Sequence, residues 1–80
     1  MQINTKIGGR KLYRNLEAEM VREGVTRKNL AEALNVRYAT IIDKLKGRYS
    51  FTLDEAFVIR NKFFPNLTLE YLFETEEQTA

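Results

Sequence analysis

Between Thr26 and Gly47, two stretches with helical spacing are separated only by Asn35, Val36 and Arg37. A turn that short makes consecutive helices cross steeply, and the point of crossing needs a small side chain. Ala31 supplies it. Thr26 is a good cap for the first stretch, 27–34, and Val25 is placed to staple across that cap onto Leu30. This helix buries Leu30, Ala31 and Leu34 and stops at Asn35, a residue that tolerates the positive φ of a tight turn. Val36 plugs the corner. The second stretch, 38–46, buries Ile41 and Leu45 and ends at Gly47. With those anchors inward, Ala39, Thr40, Ile42, Asp43 and Lys46 face outward, and Arg37 and Tyr38 stand at the open N-terminal end.

The rest of the chain also reads as helix. Leu12, Leu16 and Met20 recur every fourth residue, which predicts a helix over 10–23 closed by Gly24. Thr52 and Glu55 form a capping box that starts a helix over 53–63, burying Ala56, Phe57, Phe63 and either Ile59 or the stem of Arg60. Pro65 forbids its continuation. Leu67 and Thr68 repeat the staple and cap, with Leu67 able to meet Leu72, for a short helix over 69–73. The expected architecture is all-α: five helices in one domain over 10–73. It is preceded by a flexible arm (1–9, ending in Gly8 and Gly9) and followed by an acidic, frayed tail (74–80).

Composition narrows the chemistry. Eighty residues with nine aromatics can bury one modest core. His and Cys are both absent, which removes the commonest general base, the thiolate nucleophile and the usual metal ligands. Ser50 is the only serine and has no His partner, so it reads as a turn residue. Gly8 and Gly9 lack the strand, spacing and Lys of a phosphate loop. No catalytic constellation, cofactor or metal is expected, and neither a membrane span nor a signal peptide; a cytoplasmic protein is. Charge is uneven: residues 1–48 hold eleven Lys/Arg against five Asp/Glu, and residues 49–80 hold two against six. A basic front half suits a phosphate-facing surface.

At Thr26, Leu30, Ala31, Leu34, Val36, Thr40, Ile41 and Gly47 the chain resembles phage repressor and Cro-type helix-turn-helix domains, the XRE family. The family pattern is Thr-Gln-x-x-Leu-Ala-x-x-Leu-Gly-Val-x-x-x-Thr-Ile, with Gly six residues later. The segments 51–56 and 63–73 look like the family's fourth and fifth helices, as in prophage members from Gram-positive hosts. The resemblance covers about residues 12–73. It implies a compact five-helix lambda-repressor-like domain, with the second motif helix in the major groove of double-stranded DNA. It also implies a transcriptional regulator, a repressor acting by operator occupancy. By that resemblance Tyr38, Ala39, Ile42 and Asp43 take base-facing positions. Arg27, Arg37, Thr40, Lys44, Lys46 and Arg48 lie where phosphates run, and Lys6, Arg10, Lys11 and Arg14 are candidates for arm contacts.

The chain departs from the pattern. Arg27 and Tyr38 replace the glutamines that commonly open both motif helices, and Asn35 replaces the turn glycine. No known operator sequence therefore transfers. Tyr38 has the alternative of packing against the preceding helix, and Asp43 that of pairing with Lys46 or Arg48. The C-terminal segment is more apolar than one short helix needs. Phe64, Leu67, Tyr71 and Phe73 are therefore expected to offer a homodimer face, suited to a palindromic operator. The alternative function is a protein-interaction module on the same scaffold, such as an antitoxin or a regulator-binding partner.

Overall fold

The computed structural model describes residues 10–78. Five helices follow one another: α1 (Arg14–Glu23), α2 (Arg27–Leu34), α3 (Tyr38–Leu45), α4 (Leu53–Phe63) and α5 (Leu69–Leu72). The fold is all-α, as the spacing requires. Each helix contributes one fully buried aliphatic side chain to a common core: Leu16, Leu30, Ile41, Ile59 and Leu72. Burial of such a side chain stabilises by about 2 kcal/mol. Tyr13, Met20, Ala31, Leu45 and Phe64 complete the cluster.

Local chemistry sets the boundaries. The Thr26 hydroxyl accepts from the Asn29 amide at 3.0 Å while Asn29 Oδ1 accepts from the Thr26 amide at 2.8 Å, a reciprocal cap with Asn in the usual place of Glu. Thr52 and Glu55 form the expected capping box on α4, and the Thr68 hydroxyl caps α5 through the Tyr71 amide. Each such cap contributes about 1 kcal/mol. Gly24 closes α1 at φ 71°, and Asn35 closes α2 at φ 57°. A Cβ on Gly24 would meet nothing within 4 Å, so the positive φ alone selects glycine there.

Two departures lie at the ends. The chain from Arg10 to Leu12 is not the first turn of α1 but a strand, β1 (Arg10–Leu12), and the acidic tail contributes β2 (Glu76–Gln78). They pair antiparallel, Leu12 opposite Glu76 and Lys11 opposite Glu77. Helix formation starts only past Tyr13, which turns inward to 5% exposure. Its hydroxyl oxygen accepts from the Phe51 amide at 3.0 Å. Its ring packs edge-on against Phe51 and Phe73. Leu12, expected in the core, is only half-buried. The expected arm at 1–9 lies outside the described residues.

Two aromatic assignments exchange places. Phe57, expected inside, is 42% exposed, whereas Phe64, expected on a dimer face, is 3% exposed and belongs to the core. Phe64 sits just past α4 with φ −137° and ψ 55°, a bend that turns its ring inward. Among the described residues no helix is long and apolar enough to cross a membrane.

Candidate nucleic-acid interface

The position of α3 follows from its inward side. Ile41 and Leu45 are buried, and the chain enters from α2 through Val36, whose amide donates to the Ala31 carbonyl at 3.0 Å. That bond and the Asn35 turn set the crossing of α2 and α3. Arg37 precedes α3 in extended conformation and makes no side-chain cap, unlike Thr26, Thr52 and Thr68 before α2, α4 and α5.

The outward side carries most of the expected residues. Tyr38 is 55% exposed, Ala39 and Arg37 are exposed, and Thr40 and Ile42 are half-buried. Arg27, Tyr38, Ile42 and Lys46 come together around a shallow depression of about 330 Å³, with Leu45 and Glu17 completing its lining. Its lining is thus apolar at Ile42 and Leu45 and cationic at Arg27 and Lys46. Glu17 on α1 is an addition that the motif gives no sign of, and its carboxylate lies 3.8 Å from the Arg27 guanidinium. Arg48, exposed beyond α3, lies 3.6 Å from Asp43. The pairing of Asp43 with Arg48, one of the two alternatives in the sequence, is the one present.

Lys44 is the clear correction. It does not face outward. Its side chain is only 11% exposed, and its ammonium donates to the Ser50 carbonyl at 3.0 Å and to Glu55 Oε1 at 2.9 Å. It also lies 5.7 Å from the centre of the Phe51 ring. The spacing carried the signal: Lys44 follows Ile41 by three and adjoins Leu45, so it shares their face. Burial pushes the Glu55 carboxyl up, but the Thr52 amide and the Lys44 ammonium outweigh it and hold it below the ordinary value of 4.5. Lys44 thus ties the end of α3 to the start of α4 and is not available to a phosphate.

The secondary candidates divide. Lys11 is exposed, whereas Arg14 is held by Glu76 on β2 at 2.9 Å. Lys6 and the side chain of Arg10 lie outside what the structure describes. Of the expected dimer face, Phe64 is core, and Leu67 and Phe73 are half-buried against it. Tyr71 is 39% exposed, and its hydroxyl donates to Glu19 Oε2 at 2.7 Å. That hydrogen bond, together with burial and the Glu19 charge, raises the Tyr71 hydroxyl above its ordinary value of 10.0. Apolar side chains more exposed than Tyr71 lie elsewhere, among them Val21 on α1, Leu53, Phe57 and Val58 on α4, and Tyr49 before it.

Compared with protein-family models, curated proteins and solved structures, the chain finds no match in any of the three.

Proposed function

We propose that this chain is a sequence-specific double-stranded DNA-binding protein, a transcriptional regulator of prophage type that represses by occupying an operator. The observation that carries this reading is the two-sidedness of α3. Ile41 and Leu45 anchor one side in the core, while the other offers Tyr38, Ala39 and Ile42 with cations around them. A helix held this way fits a major groove about 12 Å wide. Tyr38 can donate or accept at a base edge, and Ala39 and Ile42 suit thymine methyl groups. Arg37, Lys46, Arg27 and Arg48 are the phosphate partners, which fix orientation and carry no sequence information themselves. Two copies on a palindrome, in the cytoplasm, complete the reading. It needs no cofactor and no catalytic group.

Selection from random duplexes tests it. The expected result is one enriched site, bound with an affinity that falls steeply as salt rises. Arg37→Ala or Lys46→Ala should weaken every duplex alike and lower the salt slope by about one. Changing Tyr38 or Ile42 should alter which sequence wins. If these variants enrich the wild-type site, the readout residues are misassigned.

One feature favours the protein-interaction alternative. Arg27 and Arg48 each face a carboxylate of their own chain, which reduces the positive charge free for phosphates. Failure to retain any duplex at low salt would support that second reading.

A further inference from the structure

Residues 10–14 carry Arg10, Lys11 and Arg14 and no acid, while residues 74–78 carry Glu74, Glu76 and Glu77 and no base. The fold lays one segment on the other. β2 runs antiparallel to β1 with Leu12 opposite Glu76 and Lys11 opposite Glu77, and Glu76 Oε1 lies 2.9 Å from Arg14 Nε. The hold is uneven along its length. At the root of β2, Asn15 Nδ2 donates to the Tyr71 carbonyl at 2.8 Å and to Glu74 Oε1 at 3.2 Å. Beyond that root come three paired residues on each strand and an ion pair more than half exposed at both ends. A ribbon of two strands is marginal in water, and an exposed ion pair adds little to it.

Arg14 also adjoins the candidate interface. Glu17 follows it by three residues on α1, so the two are neighbours on one helix face. Glu17 in turn lines the depression formed with Arg27, Tyr38, Ile42 and Lys46. The acidic strand therefore reaches the edge of the surface that the DNA-binding reading gives to phosphates.

We propose that β2 is an autoinhibitory strap: Glu76 occupies Arg14 where a DNA phosphate would bind, and the strand leaves β1 when a duplex takes its place. The proposal rests on the DNA-binding reading. A carboxylate and a phosphate seek the same guanidinium, so they compete for it. Left in place, Glu76 would also set like charge against the phosphates, which favours opening once a duplex arrives. The weak ribbon lets the strap open, and the Asn15 contacts at its root keep it close enough to return. A duplex then binds only as tightly as its phosphates outcompete the tail.

The chain has no cysteine, so Arg10→Cys with Gln78→Cys, at opposite positions of the ribbon, introduces a single disulfide. It locks the strap and leaves Arg14, Glu74 and Glu76 in place. Loss of free thiol within the monomer, followed without DNA, should show that the pair closes. Binding of a mixed-sequence duplex is then measured for the oxidised and reduced forms. The reduced form should bind on the order of three- to tenfold more tightly, with a salt slope steeper by about one. In the unlocked chain Glu76→Gln should give a gain of similar size. Glu23→Gln, which removes the same charge about 13 Å further along α1, should give less. In an Arg14→Ala background the gain from Glu76→Gln should shrink to that of Glu23→Gln. Thiols that fail to pair overturn the ribbon. Equal binding by the two redox forms, or a gain from Glu76→Gln that persists in full without Arg14, overturns the strap and leaves the DNA reading standing. If neither redox form nor Glu76→Gln retains a duplex, the DNA reading fails and the strap's competition with phosphate falls with it.

Discussion

The two sides of α3 carry the same kinds of residue and lead to opposite fates. Asp43 and Lys44 are neighbours in sequence, both charged, both on one eight-residue helix. Lys44 is enclosed by Ser50, Glu55 and Phe51, while Asp43 meets Arg48 at a half-exposed rim. Likewise Ile41 is fully buried and Ile42 only partly so. Residue type therefore does not say which side of the helix a group serves. Angular position does, and it separates a buried side from an exposed side within a few ångströms.

The largest expected effect breaks the structural side. Ile41→Ala removes a side chain with no exposed surface, leaving a void where α2 and α3 cross, and should cost about 2–5 kcal/mol. Ile42→Ala should cost about 1 kcal/mol, because water already reaches part of that side chain. Urea denaturation of both variants measures the gap. Equal losses would mean that α3 has no distinct inner side.

An intermediate effect concerns the ion pair. Lys44→Met keeps the apolar stem but leaves the Glu55 carboxylate with only the Thr52 amide and hydroxyl, at a cost of about 1–3 kcal/mol near pH 7. The folded Glu55 value lies below 4.5, so its stabilisation is complete above that value and fades as pH falls through the lowered one. The difference between wild type and Lys44→Met should accordingly narrow as pH falls through that lowered value. Denaturation curves at neutral and at acid pH check it. A difference that persists undiminished in acid would assign the effect to packing on Phe51 and not to charge.

What was legible in the sequence was what acts locally. Thr26, Thr52 and Thr68 cap where they stand, Asn35 turns where it stands, and Leu30, Ile41 and Leu45 follow from spacing alone. The ribbon of β1 and β2 was not legible, since three-residue strands from opposite ends of the chain carry no local signature. Around α4, apolar residues occur at 53, 56, 57, 58, 59, 63 and 64 and surround the helix, so periodicity could not choose between Phe57 and Phe64. Phe64, at the bend just past α4, is the one that joins the core cluster. In the candidate site, Arg37, Tyr38 and Ala39 are exposed around the start of α3, as the spacing predicts. Glu17 came from α1, outside the motif altogether.

The smallest expected effect on stability is at the rim, and it is the one that most sharpens the contrast with Lys44. The Asp43–Arg48 pair spans 3.6 Å with side chains 35% and 54% exposed, a geometry that contributes about 0–1 kcal/mol. Asp43→Asn should leave stability within about 0.5 kcal/mol of wild type. Its effect on binding divides two roles. If Asp43 only restrains Arg48, the substitution removes a negative charge facing phosphates and frees a guanidinium. Affinity should then rise on all duplexes alike, with the salt slope steeper by about one. If Asp43 accepts from a cytosine amino group, the preference for cytosine at one position should disappear while the salt slope barely moves. Repeating the duplex selection with this variant distinguishes them. The distance favours the first, since the Asp43 carboxylate already faces the Arg48 guanidinium.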